Sequence, residues 1–104
     1  MLYLASGFSF DMLPPTAMHI MRVPVTREEV RALLMAAPTF QSVIRSESVA
    51  QVLSEVLGYP VPAGRFNVEL RPGDMLLVSR PERGRDVEES RSFTFFAVRT
   101  EDAA

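Results

Sequence analysis

The side chains of this chain that could do chemistry are mainly arginines, because its 104 residues include eleven Arg and no Lys, Cys or Trp. The planar guanidinium of Arg can pair with a phosphate through two parallel hydrogen bonds. Three arginines fall within residues 80–85, a pattern typical either of a solvated loop or of a clamp for an anion. A GC-rich coding sequence would also replace Lys by Arg, so the composition permits a phosphate ligand without requiring one.

A second candidate for anion binding is the start of a predicted helix, where Arg45 and Ser46 are adjacent. The first N–H groups of a helix and the positive end of its dipole suit a phosphate when that helix end lies in a cleft. Every helix has such an end, so the value of this observation depends on what surrounds it.

The single histidine, His19, lies between Met18 and Ile20 in an apolar segment. A lone His in such a strand is more often a packing or surface residue than a catalytic base. The sequence has no phosphate-binding loop, no dinucleotide-binding glycine motif and no nucleophile elbow. With one His and no Cys, we predict no metal site and no cofactor.

The composition, with 47% hydrophobic residues, is that of one globular domain, which we assign to residues 1–104. A chain of this length buries only about two-thirds of its unfolded surface, so a second subunit would help to cover the core. The net charge of −2 argues against a broad basic surface for duplex DNA.

The sequence gives no sign of a membrane or secretory segment. No uncharged run approaches the roughly 20 apolar residues of a membrane-spanning helix. The first ten residues lack the positive n-region of a signal peptide. We therefore expect a cytoplasmic protein with no membrane partner.

The hydrophobic pattern predicts an α/β (α+β) fold, a single mixed sheet of about five strands flanked by helices in the order ββααβββ. Thr26 and Glu29 form a capping box that begins a helix ending before Pro38. Ser46 begins a second helix, which ends at Gly58. The predicted strands cover residues 1–5, 18–25, 65–70, 75–79 and 92–99, the third and fourth forming a hairpin with a tight turn at 71–74.

Four segments resemble one family, the small viral and prophage proteins that include the type III anti-CRISPR ring nucleases and were first described as hypothetical proteins of crenarchaeal viruses. The segments are residues 3–13, the helix at 46–58, the hairpin at 65–78 and the Arg- and Glu-rich loop before a Phe-rich last strand. Their order and spacing follow the family over most of the chain.

This resemblance implies a homodimer whose two subunits form a pocket for cyclic tetra-adenylate, the second messenger of type III CRISPR defence. In the family the chemistry needs no metal: a ribose 2′-OH attacks the adjacent phosphate. A His at the start of the second helix protonates the departing 5′ oxygen, and a Glu from the loop before the last strand holds that His. An imidazole suits this task because its pKa lies near neutrality.

Carried over by position, the resemblance places Ser9 and Arg65 in the ligand pocket. Arg85 and Glu88 match the Arg and Glu of the loop, with Arg83 as an alternative to Arg85. These matches predict contacts to phosphate and ribose and one acidic residue at the reacting centre.

The catalytic Gly-His pair of the family is replaced here by Arg45 and Ser46. A Ser hydroxyl cannot supply a proton at neutral pH as an imidazolium can, and general acid catalysis contributes typically about 10²- to 10⁴-fold. The predicted site residues are therefore Ser46 and Glu88 for any catalysis, and Ser9, Arg45, Arg65, Arg83 and Arg85 for ligand binding.

Three interpretations follow, and the first is favoured. The protein binds a cyclic oligoadenylate and sequesters or senses it, with Arg45 adding positive charge at the helix start. Alternatively, it is a metal-independent ring nuclease with relocated chemistry that uses Arg45, Glu47, Glu88 or His19, or that only positions the 2′-OH. In the third, the same fold serves another nucleotide, a single-stranded nucleic acid or a protein partner.

Overall fold

The computed structural model describes residues 1–13, 19–65, 67–81 and 93–101. Its elements in chain order are β1 (Leu2–Ala5), a short 3₁₀ helix (Phe10–Met12), β2 (His19–Val25), α1 (Arg27–Ala36), β3 (Phe40–Ser42), α2 (Glu47–Leu57), β4 (Met75–Pro81) and β5 (Phe93–Glu101). None of the helices in these ranges is long and apolar enough to cross a membrane.

The strands form one mixed sheet in the order β2-β5-β4-β1-β3. β1 runs parallel to both β3 and β4, whereas β5 runs antiparallel to β4 and β2. The predicted five-stranded mixed sheet with two helices is confirmed. The predicted order of elements is wrong, because the third strand lies between the two helices and gives ββαβαββ.

The predicted hairpin between residues 65–70 and 75–79 is also wrong. The tight turn is present, since the N–H of Asp74 donates to the carbonyl oxygen of Arg71 at 2.9 Å, with Gly73 at φ 93°. Residues 67–70, however, lie outside the sheet, and β4 pairs with β1 and β5 instead. Val68 and Leu70 alternate because both are buried against a face of the sheet.

The sheet has a core on each face. The two helices cover one face, where Val30, Leu34 and Leu53 pack with Leu4 and Leu77. Loops cover the other face, with Phe8 and Met12 of the first loop and Val68 and Leu70 of the later one packed over β1, β4 and β5.

Local signals set the helix ends as predicted. The capping box at α1 is complete, with Glu29 N–H donating to Thr26 Oγ1 at 3.1 Å and Thr26 N–H donating to Glu29 Oε1 at 3.2 Å. Ser46 caps α2, and Gly58 ends it in the left-handed conformation at φ 66°, which favours glycine.

The hydroxyl of Ser54 fixes the segment that follows α2. Its Oγ donates to the carbonyl oxygen of Ala50 at 2.8 Å and accepts from the N–H of Val61 at 2.9 Å. The N–H of Gly64 then donates to the carbonyl oxygen of Ile44 at 2.9 Å. These bonds bring the chain back toward the start of α2.

Ser54→Ala is expected to lower the free energy of unfolding by about 1 kcal/mol. The Val61 N–H loses its acceptor, and the higher helix propensity of alanine offsets only part of that loss. Urea denaturation measures the change. Gln51→Ala, an exposed change on the same helix, serves as the control and should stay within about 0.5 kcal/mol of wild type. Equal midpoints for the two variants would contradict the assigned role of Ser54.

Candidate functional site

The candidate site lies where the parallel strands β1 and β3 end. The N–H of Val43 donates to the carbonyl oxygen of Leu4 at 2.9 Å, which continues the ladder beyond β3. The carboxyl ends of parallel strands meet at the same edge of a sheet, where α/β proteins commonly bind ligands. The loop after β1 therefore lies beside the start of α2.

A pocket of about 460 Å³ opens at this edge, and we call it the α2 pocket. Three predicted site residues, Ser9, Arg45 and Ser46, lie in its wall. Gly7 and Phe8 complete the side formed by the loop after β1. The structure thus brings Ser9 together with residues that are 36 or more positions away in sequence, and Arg45 directly precedes Ser46, the cap of an 11-residue helix.

The hydroxyl of Ser46 is engaged in capping the helix. Its Oγ accepts from the N–H of Val49 at 3.3 Å and lies 2.9 Å from the Oγ of Ser48. A hydroxyl in this position satisfies one of the N–H groups of the first turn. Participation of Ser46 in catalysis stays a prediction.

The hydroxyl of Ser9 lies in a turn. Its Oγ accepts from the N–H of Asp11 at 3.3 Å, and its carbonyl oxygen accepts from the N–H of Met12 at 3.0 Å. Because the Asp11 bond uses Ser9 Oγ as an acceptor, the hydroxyl proton can donate to a ligand oxygen. Ser9 is exposed, as a ligand contact must be before binding.

The other predicted residues are placed less directly. Arg65 is exposed and follows Gly64, whose N–H bonds to the residue before Arg45, but Arg65 does not line the α2 pocket. Predicted residues Arg83, Arg85 and Glu88 lie outside the described residues. In sequence, these three residues fall between Pro81, the last residue of β4, and Phe93, the first residue of β5.

Two residues of the alternative enzymatic interpretation are separate from the pocket wall. His19 is the exposed first residue of β2, the edge strand farthest from β3, and its register partner is Glu101. Glu47 is exposed in the first turn of α2 and does not line the α2 pocket.

Sequence analysis missed a second pocket, which lies on the same face of the sheet. This cavity of about 600 Å³, the β2 pocket, shares Gly7 and Phe8 with the α2 pocket. Its remaining wall consists of Ile20, Arg22, Arg80, Phe96 and Val98. The Cζ atom of Arg22 lies 4.4 Å from the centre of the Phe96 ring, a cation–π contact.

A further cavity of about 740 Å³ lies at the other end of α2, around Gly58 and Tyr59. Among the described residues, its wall contains the carboxylate Glu55 and no basic side chain. An anionic ligand is therefore favoured at the α2 pocket over this cavity.

One family model matches most of the chain. The model of the STIV B116-like family matches residues 2–91. Among solved structures, B116 of Sulfolobus turreted icosahedral virus superposes with a TM-score of 0.77 at 18% sequence identity, covering 94% of this chain and 97% of that chain. No curated protein sequence matches significantly. At this identity, the structural likeness shows the fold alone.

Proposed function

Because the chain belongs to the STIV B116-like family, we propose that it binds a cyclic oligoadenylate, most simply cyclic tetra-adenylate, at the α2 pocket. The observation that carries this proposal is the position of Arg45 beside the capped start of α2, in the wall of the same pocket as Ser9. A guanidinium, a hydroxyl and a helix start are all donors to phosphate oxygens.

The charges near the pocket support an anionic ligand. Arg45 lies in its wall, and Arg65 follows a segment hydrogen-bonded beside it. Glu47 in the first turn of α2 opposes an anion, although its side chain is exposed and outside the wall. Of these charged groups, only the guanidinium of Arg45 is part of the pocket wall.

The protein acts as a homodimer in this proposal, because a cyclic ligand of repeated units suits a two-fold site in which each subunit offers the same patch. In such a dimer the α2 pockets of both subunits would face the same ligand.

Sequestration is favoured over cleavage. The residue at the start of α2 is Ser46, whose hydroxyl caps the helix and is no proton donor at neutral pH. Positioning of a ribose 2′-OH for in-line attack could still give slow turnover, which keeps the ring nuclease as the second candidate. In either case the protein would lower the free messenger and so counter or tune a type III CRISPR-type defence.

One experiment tests the proposal and separates its two forms. Purified protein is mixed with cyclic tetra-adenylate without added metal, and binding is followed by calorimetry while the ligand is followed by chromatography. Tight binding of intact ligand supports sequestration, and conversion to linear di-adenylate supports the nuclease. Absence of binding at millimolar ligand would overturn the proposal.

Arg65→Ala is expected to weaken binding of cyclic tetra-adenylate by roughly 10-fold while the thermal midpoint stays unchanged. Arg65 is exposed, so it contributes little to the stability of the fold. A charge-assisted hydrogen bond from it to a phosphate would contribute about 1.5 kcal/mol or more to the free energy of binding. Arg71→Ala removes an exposed Arg six residues later and is the matched control. Equal affinity in the two variants would remove Arg65 from the site.

A further inference from the structure

The β2 pocket adjoins the α2 pocket, because Gly7 and Phe8 lie in the walls of both. We infer that it holds an adenine base of the bound ligand, stacked on the guanidinium of Arg22. This inference rests on the proposed function and extends the site from the start of α2 across the sheet to β2.

The first argument is the preorganisation of Arg22. Its guanidinium lies 4.4 Å from the centre of the Phe96 ring, which is 8% exposed and part of the core. The Arg22 side chain is nevertheless exposed and lines the pocket. The guanidinium is therefore held close to a core ring while the Arg22 side chain stays accessible from the cavity. Arg planes stack with unpaired bases.

The second argument is the charge of the wall. Arg80 lies on β4, on the other side of β5 from Arg22, and the two face the same cavity. No acidic residue occurs among the described residues of this wall. A base alone needs no second cation, but a nucleotide carries a phosphate that Arg80 can contact.

The third argument is distance. Two strands, β5 and β4, separate β2 from β1, so Arg22 lies about 14 Å from the β1 side of the α2 pocket. One phosphate cannot contact both Arg45 and Arg22. The two pockets therefore suit different parts of one extended ligand, phosphate and ribose at α2 and a base at β2.

A cation–π pair also occurs in proteins as a purely structural contact, about once per 70 to 80 residues. The location of this pair distinguishes the two roles. Arg22 lines a cavity of about 600 Å³ that adjoins the α2 pocket, whereas a structural pair needs no cavity beside it.

Two substitutions at Arg22 separate stacking from charge. Arg22→Ala is expected to weaken binding of cyclic tetra-adenylate about 10-fold. Arg22→Lys should weaken it nearly as much, because lysine keeps the positive charge but lacks the planar guanidinium on which a base stacks. Arg99→Ala removes an exposed Arg from the other face of the same sheet and should change affinity less than 2-fold. Thermal midpoints of all variants show whether each is folded.

The outcomes distinguish this inference from the proposed function. Wild type that binds cyclic tetra-adenylate while Arg22→Ala binds it equally well would overturn the inference and leave the proposed function intact. Full affinity in Arg22→Lys would show that only the positive charge of Arg22 matters, which would also overturn the inference.

If wild type does not bind the cyclic ligand, the proposed function fails and the base subsite is tested alone. Adenosine 5′-monophosphate and ribose 5-phosphate, which carry the same phosphate, are then compared by saturation-transfer NMR. Preference for the adenine compound that is lost in Arg22→Ala supports the subsite. Equal signals from the two compounds would overturn it.

Discussion

Alanine in place of Arg45 is expected to lower the affinity for cyclic tetra-adenylate by about 100-fold or more. A hydrogen bond between a guanidinium and a phosphate contributes about 1.5 to 3 kcal/mol, and a two-fold dimer would place two copies of Arg45 on one ligand. The loss of affinity from removing both contacts should therefore exceed that caused by most single surface substitutions.

The fold should not suffer from this substitution. Arg45 is exposed, and the cap of α2 is made by the side chain of Ser46 and the N–H of Val49. Calorimetry with the cyclic ligand measures the affinity, and thermal denaturation checks the fold. Arg27→Ala removes another exposed Arg, at the start of α1, and is the control.

Salt dependence gives an independent measurement of the same contact. Binding of a phosphate by Arg displaces counterions from the ligand, and a higher salt concentration makes this release less favourable. The affinity therefore falls as the salt concentration rises. Arg45→Ala should therefore bind with a shallower dependence of affinity on salt than wild type. Wild-type affinity and slope in Arg45→Ala would show that the phosphate lies elsewhere.

Signals of short range explain what the sequence could predict. The capping box of Thr26 and Glu29, the cap at Ser46 and the turn at Gly58 each involve residues within a few positions, and all form as expected. Pairing between strands is different. β3 has only three residues, too few for an alternating pattern, and it forms because it lies parallel to β1.

The wrong hairpin has the same origin. Alternation of apolar residues shows that one side of a segment is buried, but it does not show whether the segment is a strand of the sheet or lies over it. Leu70 is fully buried, and its N–H donates to the carbonyl oxygen of Met12 at 2.7 Å, in a loop rather than in a strand.

The candidate site was predictable only in part for similar reasons. The resemblance pointed to Ser9, Arg45 and Ser46, and the meeting of β1 and β3 brings them to one pocket. No local pattern marks Arg22, which becomes a candidate only because β5 pairs with both β2 and β4. That pairing brings Arg22 and Arg80 to one cavity although 58 positions separate them.

The substitution with the largest expected gain restores an acid at the start of α2. Ser46→His combined with Arg45→Gly is expected to raise cleavage of cyclic tetra-adenylate by roughly 10²- to 10⁴-fold over wild type, the usual contribution of a general acid. Ser46→His alone should gain less, because the neighbouring Arg45 disfavours the protonated imidazole that must donate.

The measurement must separate chemistry from binding, since loss of Arg45 weakens the complex. Single-turnover rates at saturating ligand, followed by chromatography, report the chemical step alone. Ser46→Asn is the matched control, because asparagine can cap α2 as serine does but cannot act as an acid. The His variants should lose about 1 kcal/mol of stability with the cap, which thermal denaturation detects.

A gain in the His variants and none in Ser46→Asn would mean that the pocket still holds the ribose 2′-OH in line with its phosphate. Wild type would then be a site that lacks only its proton donor, in agreement with sequestration. No gain at saturating ligand would contradict this, because a general acid accelerates cleavage only where the nucleophile is already positioned. The difference between the protein and a nuclease would in that case extend beyond Ser46 to the residues that orient the ring.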